Sequence, residues 1–171
     1  MVLVYACADE RWLSKYNPPD DLLHARLLRL SPRLVALGVL LLAPSLLLWR
    51  INGNYPTYYA FLVMGAFVPA VFLYRSVSAF VNWPAFVLTT LYVLVTSIVW
   101  EVTLALPREW WGYNERGMMG LWIDAWSTEV NAFPVEAGFV WLCAPFSAIL
   151  TYEFAKAFTA HPGSTRQALF G

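Results

Sequence analysis

Four apolar segments, separated by short polar breaks, dominate the hydropathy pattern of this chain. They cover about residues 34 to 49, 55 to 74, 84 to 106 and 133 to 158. An α-helix needs about 20 consecutive apolar residues to cross the hydrocarbon core of a bilayer. The pattern therefore predicts an all-α integral membrane protein, in which residues 34 to 158 form a bundle of four transmembrane helices. The first segment is short, and Pro44 is expected to kink it because proline lacks the N–H of a helical hydrogen bond.

The two ends of the chain are more polar than its middle. Between residues 21 and 30, leucines alternate with His24, Arg26 and Arg29. This spacing predicts a short amphipathic helix within an N-terminal arm of residues 1 to 33, and that helix would lie on the membrane surface or dock onto a partner. Residues 159 to 171 are predicted to form a polar tail.

Composition supports the membrane assignment. Of the 171 residues, 60% are hydrophobic and 13% are charged, more apolar surface than a soluble domain of this size hides. The formal net charge is zero, which argues against nucleic acid as a partner. Cys7 and Cys143 are expected to be free thiols, and no metal site is predicted, because His24 and His161 lie outside the spans and no His/Cys cluster occurs.

The placement of basic residues predicts the orientation. Arg50, Arg108 and Arg116 fall on one side of the predicted bundle, and the other eight of the 11 lysines and arginines fall on the side that holds both termini. Cytoplasmic loops carry the excess of lysine and arginine. Both termini are therefore expected in the cytoplasm. The connection of residues 107 to 132 would lie on the opposite side.

This connection is rich in tryptophan and acidic residues. Trp110, Trp111, Tyr113, Trp122 and Trp126 interleave with Glu109, Glu115, Asp124 and Glu129. Such a composition is typical of an interfacial helix or re-entrant loop at the level of the lipid headgroups. An aromatic belt with no further role is the alternative for most of these residues.

Two acidic residues lie inside sequence that otherwise suits lipid. Glu101 falls about one and a half turns before the end of the third segment, and Glu136 falls in the first turn of the fourth, two residues after Pro134. An ionised carboxyl group at the bilayer centre costs at least about 2.5 kcal/mol, so such a residue points to a functional site. A 1.5 Å rise per residue puts both at similar depth, where one pocket between two helices would contain both.

The surroundings of the two acids suggest acid and base chemistry. Removal from water keeps a carboxyl group protonated, although a helix N-terminus near Glu136 favours the anion. Trp100, Tyr92, Phe139 and Trp141 offer π faces that stabilise a cation in an apolar cavity. An acid, a base and aromatic walls suit carbocation chemistry on a hydrocarbon.

Three short motifs resemble those of the small integral-membrane lycopene cyclase domain family. They read Val99, Trp100, Glu101; then Trp110, Trp111, Gly112, Tyr113; then Pro134, Val135, Glu136, Ala137. The resemblance covers about residues 55 to 153. This chain differs from the family pattern at Val99, where the family has proline, at Glu101, where it has aspartate, and at Ala137, where it has a second glutamate.

The resemblance implies redox-neutral cyclisation of a linear carotenoid end group, with Glu136 as acid, Glu101 as base or cation stabiliser, and Trp100 and Tyr113 as walls. It also implies a bacterial cytoplasmic membrane, and a second cyclase-like subunit or a homodimer, because the family uses two such domains. No cofactor is expected, because no GxGxxG motif occurs, although a bound carotenoid fits this function.

Two other functions remain open from the sequence. A non-catalytic subunit that binds carotenoid or braces a larger pigment-protein or respiratory assembly would suit the N-terminal arm, the aromatic connection and Ala137. A small transporter or proton-conducting protein, in which Glu101 and Glu136 relay protons, ranks last. Carriers usually show repeated halves and broken helices at the midplane, and the sequence indicates neither.

Overall fold

The computed structural model describes residues 1–12, 26–29, 31–53, 56–124 and 132–170. Three short helices come first among these described residues. Helix α1 spans Val2–Cys7 and passes into a π turn at Ala8–Trp12. Helix α2 spans Pro32–Leu40, and α3 spans Ala43–Asn52.

Within the part of the chain that the structure describes, three helices are long and apolar enough to cross a membrane: α4 at Thr57–Val77, α5 at Trp83–Ala105 and α6 at Val135–Ala160. They match the second, third and fourth apolar segments to within a few residues, so these predicted helices are confirmed. Helix α4 consists of α-helix at Thr57–Leu62, a π turn at Val63–Phe67 and α-helix at Val68–Val77. Helix α5 is α-helical at Trp83–Trp100 and ends in a π turn at Glu101–Ala105.

The first apolar segment forms α2 and α3, with 9 and 10 residues, instead of one long helix. The interruption falls at Leu41 and Leu42, just before Pro44 in the first turn of α3, as expected from the missing proline N–H. The Tyr59 hydroxyl donates a 2.9 Å hydrogen bond to the Leu41 carbonyl. A fourth transmembrane span therefore stays a prediction.

The described part of the connection between α5 and α6 contains three short elements. A 3₁₀ turn occupies Glu115–Gly117, and strand β1 at Trp122–Asp124 pairs with strand β2 at Ala132–Pro134. The pairing is antiparallel, with Ile123 opposite Phe133. Because α6 begins directly after β2, this pairing fixes where the helix starts. Trp126 and Glu129 of the predicted aromatic connection lie outside the described residues.

Helix α6 packs against both α4 and α5 and so lies at the centre of the bundle. One buried cluster joins the far ends of these helices to α1 and includes Tyr5, Ala8, Val77, Ile149 and Leu150. A second cluster lies at the other end and consists of Val102, Leu106, Phe133, Ala137 and Trp141. Burial of each large apolar side chain contributes about 1.5 to 3 kcal/mol.

Helix α7 at Thr165–Phe170 follows the long helices. The Leu27 N–H donates a 2.8 Å hydrogen bond to the Ala168 carbonyl, which joins the two polar ends of the chain. The amphipathic helix predicted over residues 21 to 30, with His24, falls largely outside the described residues. Its described part, residues 26 to 29, is not helical.

A buried polar network holds α1 against α5 and α6. Asp9 accepts a 2.8 Å hydrogen bond from the Asn82 side chain, and the Asn82 N–H donates a 2.9 Å bond to the Tyr5 hydroxyl. The Tyr5 hydroxyl bonds in turn to Glu153, which pairs with Lys156 at 3.1 Å. The network thus supplies partners to two carboxyl groups that the protein hides from water.

We predict that Asn82→Ala lowers the free energy of unfolding by about 2 to 3 kcal/mol. The side chain caps α5 by accepting a 3.3 Å bond from the Ala85 N–H, and its loss also removes the 2.8 Å donor to buried Asp9, which keeps only Lys156 at 4.0 Å. Thermal unfolding in detergent micelles, followed by circular dichroism, measures the change. Asn114→Ala is the matched control, because Asn114 caps the exposed 3₁₀ turn. Equal losses in the two variants would contradict the prediction.

Candidate functional site

The π turn at the end of α5 shapes the site around Glu101. The Glu101 carbonyl accepts a 3.0 Å hydrogen bond from the Leu106 N–H, five residues later, and the Trp110 N–H bonds to the Ala105 carbonyl. These bonds turn the chain back over the end of the helix. Turns of this kind occur frequently at functional sites.

The returning chain supplies two donors to the Glu101 carboxyl group. Trp111 Nε1 donates a 3.0 Å hydrogen bond to Glu101 Oε1, and the Tyr113 hydroxyl donates a 2.5 Å bond to the same oxygen. Glu101 is only 4% exposed. Two donors on one oxygen stabilise negative charge there, and such charge-assisted bonds are shorter and stronger than neutral ones.

Glu101 lines a cavity of about 500 Å³ at this end of the bundle. Its walls are mainly aromatic and come from α4, α5, α6 and the connection. They include Tyr58, Trp100, Trp111, Tyr113 and Trp141. Trp100 is held by ring contacts to Trp110 and Trp111, with centroids 5.2 and 5.6 Å apart. The site is therefore a pocket of mixed character: aromatic rings surround the Glu101 carboxyl group, and Ser97 and Asn114 add polar groups to the walls.

Glu136 is fully buried, at 0% exposure, in the first turn of α6. Its Oε1 accepts a short hydrogen bond from the Met119 N–H. Its Oε2 is also buried and has no hydrogen-bond partner within the described part of the chain. Glu136 therefore meets one backbone donor, whereas Glu101 meets two side-chain donors.

The two acids lie near each other without sharing one set of contacts. Glu136 is not among the residues that line the cavity, whereas its neighbour Ala137 is. Tyr58, in the first turn of α4, lines the cavity and interacts electrostatically with both Glu101 and Glu136. Tyr58 thus lies within electrostatic range of both carboxyl groups.

The structure brings together four of the seven site residues predicted from sequence: Glu101, Trp100, Tyr113 and Trp141 line one cavity. Tyr92 is 54% exposed and lines a separate groove with Leu3 and Cys7. It precedes Glu101 by nine residues, or two and a half helical turns, which puts it on the opposite face of α5.

Phe139 also lies away from the cavity. Its ring packs against Tyr59 and Phe67, with centroids 5.8 and 5.9 Å apart. Ala137, Val140 and Trp141 are spaced by three and four residues, which puts them on one face of α6. Phe139 follows Ala137 by two residues and therefore points to a different side of the helix.

Sequence reasoning did not assign Tyr58, Trp111 or Met119 to the site. Tyr58 lies in the first turn of α4, at the same end of the bundle as the two acids. Its position at this end of the second apolar segment could have identified it from sequence. Trp111 belongs to the tryptophan motif already matched. Met119 contributes only its backbone N–H, which no residue type indicates.

Comparisons with known proteins find no matching family model, curated protein or solved structure. The functional interpretation therefore depends on the geometry of this site and on the short motifs themselves.

Tyr113 is the titratable group of the site that lies outside the long helices. Burial raises the pKa of its phenol above the usual value of about 10, and the hydrogen bond to Glu101 raises it further. Above about pH 10, Tyr113 loses its proton in the unfolded chain but keeps it in the folded chain. The resulting contribution to stability is present below about pH 10 and falls as pH rises toward the folded pKa.

Between about pH 10 and about pH 11 the free energy of unfolding should fall as pH rises. We predict that Tyr113→Phe reduces this slope by up to about 1.4 kcal/mol per pH unit. Unfolding in detergent micelles at several alkaline pH values measures this slope. Part of the slope should remain, because burial also raises the pKa of Tyr5. Trp110→Phe, at an exposed aromatic residue of the same connection that carries no titratable proton, is the control. The prediction fails if the Tyr113→Phe slope equals that of the unaltered protein.

Proposed function

We propose that this chain is a subunit of a membrane enzyme that cyclises the end group of a linear carotenoid of the lycopene type. The observation that carries the proposal is the carboxyl group of Glu101, fixed by two donors in the wall of an aromatic cavity between apolar helices. The π faces around this carboxyl group can stabilise a carbocation. The three matched motifs contribute residues to this end of the bundle.

In the proposed reaction Glu136 is the acid. Its carboxyl proton is added to the terminal double bond of the substrate, and the resulting tertiary cation is attacked by the neighbouring alkene. A ring proton then leaves to Glu101, so that one proton enters, one leaves and no redox change occurs. The buried Oε2 of Glu136 supports the acid role, and the two donors on Glu101 support the role of base and cation stabiliser.

Because Glu136 does not line the cavity, its proton needs a carrier. Tyr58 lines the cavity and interacts with both acids, so its hydroxyl would pass one proton to the substrate and take another from Glu136. The rings of Trp100, Trp111 and Trp141 would stabilise the cation through their π faces. A cavity of about 500 Å³ suits one end group, and the rest of the polyene would lie in the lipid.

The proposal extends to topology and assembly. We propose that α2 and α3 together form a fourth span, that both termini are cytoplasmic in a bacterial membrane, and that a second such subunit or a second copy completes the enzyme. The aromatic connection would then lie at the outer headgroups. No cofactor takes part, because protonation and deprotonation need none.

A non-catalytic role within a larger pigment-protein assembly is the second candidate. The observation that favours it is the apolar surface of the connection, where several large side chains are exposed: Trp110, Trp111, Leu121, Trp122 and Ile123. Such a surface suits a partner protein as well as lipid headgroups. Ala137, which stands where the family motif has a second glutamate, also favours the non-catalytic role.

We predict that Glu136→Gln abolishes cyclisation in a lycopene-accumulating host while the protein stays folded. Glutamine keeps the oxygen that accepts the Met119 N–H but carries no acidic proton. Chromatography of extracted pigments measures the product, and Glu115→Gln, at an exposed residue, is the control. Product from Glu136→Gln equal to that of the unaltered chain would remove Glu136 from the acid role. If the unaltered chain leaves lycopene unchanged, the assembly role is favoured.

We predict that Ala137→Glu raises product yield by at least a few-fold. Ala137 lines the cavity, so a glutamate there would direct a second carboxyl group toward the substrate, as in the family motif. Ala137→Gln is the matched control, with nearly the same volume and no acidic proton. A gain in both variants, or in neither, would show that the missing acid does not limit the reaction.

A further inference from the structure

A second polar concavity lies at the end of the bundle opposite Glu101. It is a groove of about 560 Å³ between the start of α2 and the end of α4. Its walls are formed by Ser31, Pro32, Arg33, Leu34, Tyr74 and Arg75. No step of the proposed reaction uses it.

The groove carries positive charge that the described residues do not neutralise. Arg33 and Arg75 are exposed, and in the described part of the chain the ion pairs involve Lys156 with Asp9 and Glu153. These acids face the Tyr5 and Asn82 network. The two guanidinium groups are therefore available to an anion.

A buried hydroxyl adds to the groove. Ser31 is only 8% exposed and precedes α2, yet its side chain makes no capping hydrogen bond to that helix. Two guanidinium groups and a hydroxyl form a donor set that matches the oxygens of a phosphate.

The apolar surface beside the groove indicates what carries the phosphate. From Leu34 onward α2 exposes Val35, Val39 and Leu40. An acyl chain can lie along these side chains while its headgroup occupies the groove. Basic pockets between membrane helices are known to hold anionic headgroups in this manner.

We propose that the groove between Arg33 and Arg75 binds the phosphate group of an anionic phospholipid. The site is independent of the cyclisation site. It would tie α2 to the end of α4 by joining one arginine from each helix through a shared phosphate.

Native mass spectrometry of the purified full chain in detergent tests this. The probes are phosphatidylglycerol, phosphatidylcholine and inorganic phosphate, each added alone. We expect phosphatidylglycerol to be retained, and Arg33→Gln or Arg75→Gln to weaken its binding about five-fold each. Arg50→Gln, at an exposed arginine at the far end of α3, is the matched control. Replacing both arginines by lysine should keep much of the binding, because the charge remains.

Each other outcome decides against the proposal. Equal retention of phosphatidylglycerol by all variants, or equal retention of phosphatidylcholine, would overturn the assignment. Binding of inorganic phosphate as tight as that of phosphatidylglycerol, and lost in the same variants, would overturn the lipid as the source and leave a free-phosphate site. Circular dichroism of each variant separates loss of binding from loss of folding.

Discussion

A carboxyl group enclosed by apolar helices must find its hydrogen-bond donors inside the protein, and this constraint shapes the cavity end of the bundle. Leaving such a charge without a partner costs several kcal/mol. The π turn at Glu101–Ala105 turns the chain back, so that Trp111 and Tyr113 reach Glu101. The connection after α5 is therefore part of the site, and the β1 and β2 pairing holds its far end at the start of α6.

The opposite end of the bundle meets the same constraint with other groups. Asp9 and Glu153 are buried there, and Asn82, Tyr5 and Lys156 supply their partners. Because the donors come from α1, α5 and α6, satisfying two carboxyl groups also fastens the first residues of the chain to the core. Between the two polar ends the helices pack through apolar side chains, an arrangement that suits a bilayer with polar surfaces on either side.

Sequence predicted the features that depend on local pattern. Hydropathy predicted α4, α5 and α6, and the proline before Glu136 predicted the start of α6. Features that depend on tertiary contacts were not predictable in this way. Tyr92 and Phe139 were expected at the site from their aromatic character, yet helical phase turns both away from it. The π turns and the backbone donor to Glu136 have no residue signature, and the burial of Tyr5 depends on distant Asn82.

The unequal surroundings of the two acids follow from the elements that hold them. Glu101 ends a helix and meets side-chain donors from the connection after α5, whereas Glu136 begins a helix and meets a single backbone N–H. Two carboxyl groups with such different hydrogen-bond partners suit the separate roles of acid and base. In the proposed reaction one proton passes from Glu136 through Tyr58 to the substrate and another passes from the substrate to Glu101, so each of the three long helices contributes one group. A reaction centre of this kind forms only where α4, α5 and α6 meet, which is why a single helix with a single acid would not suffice.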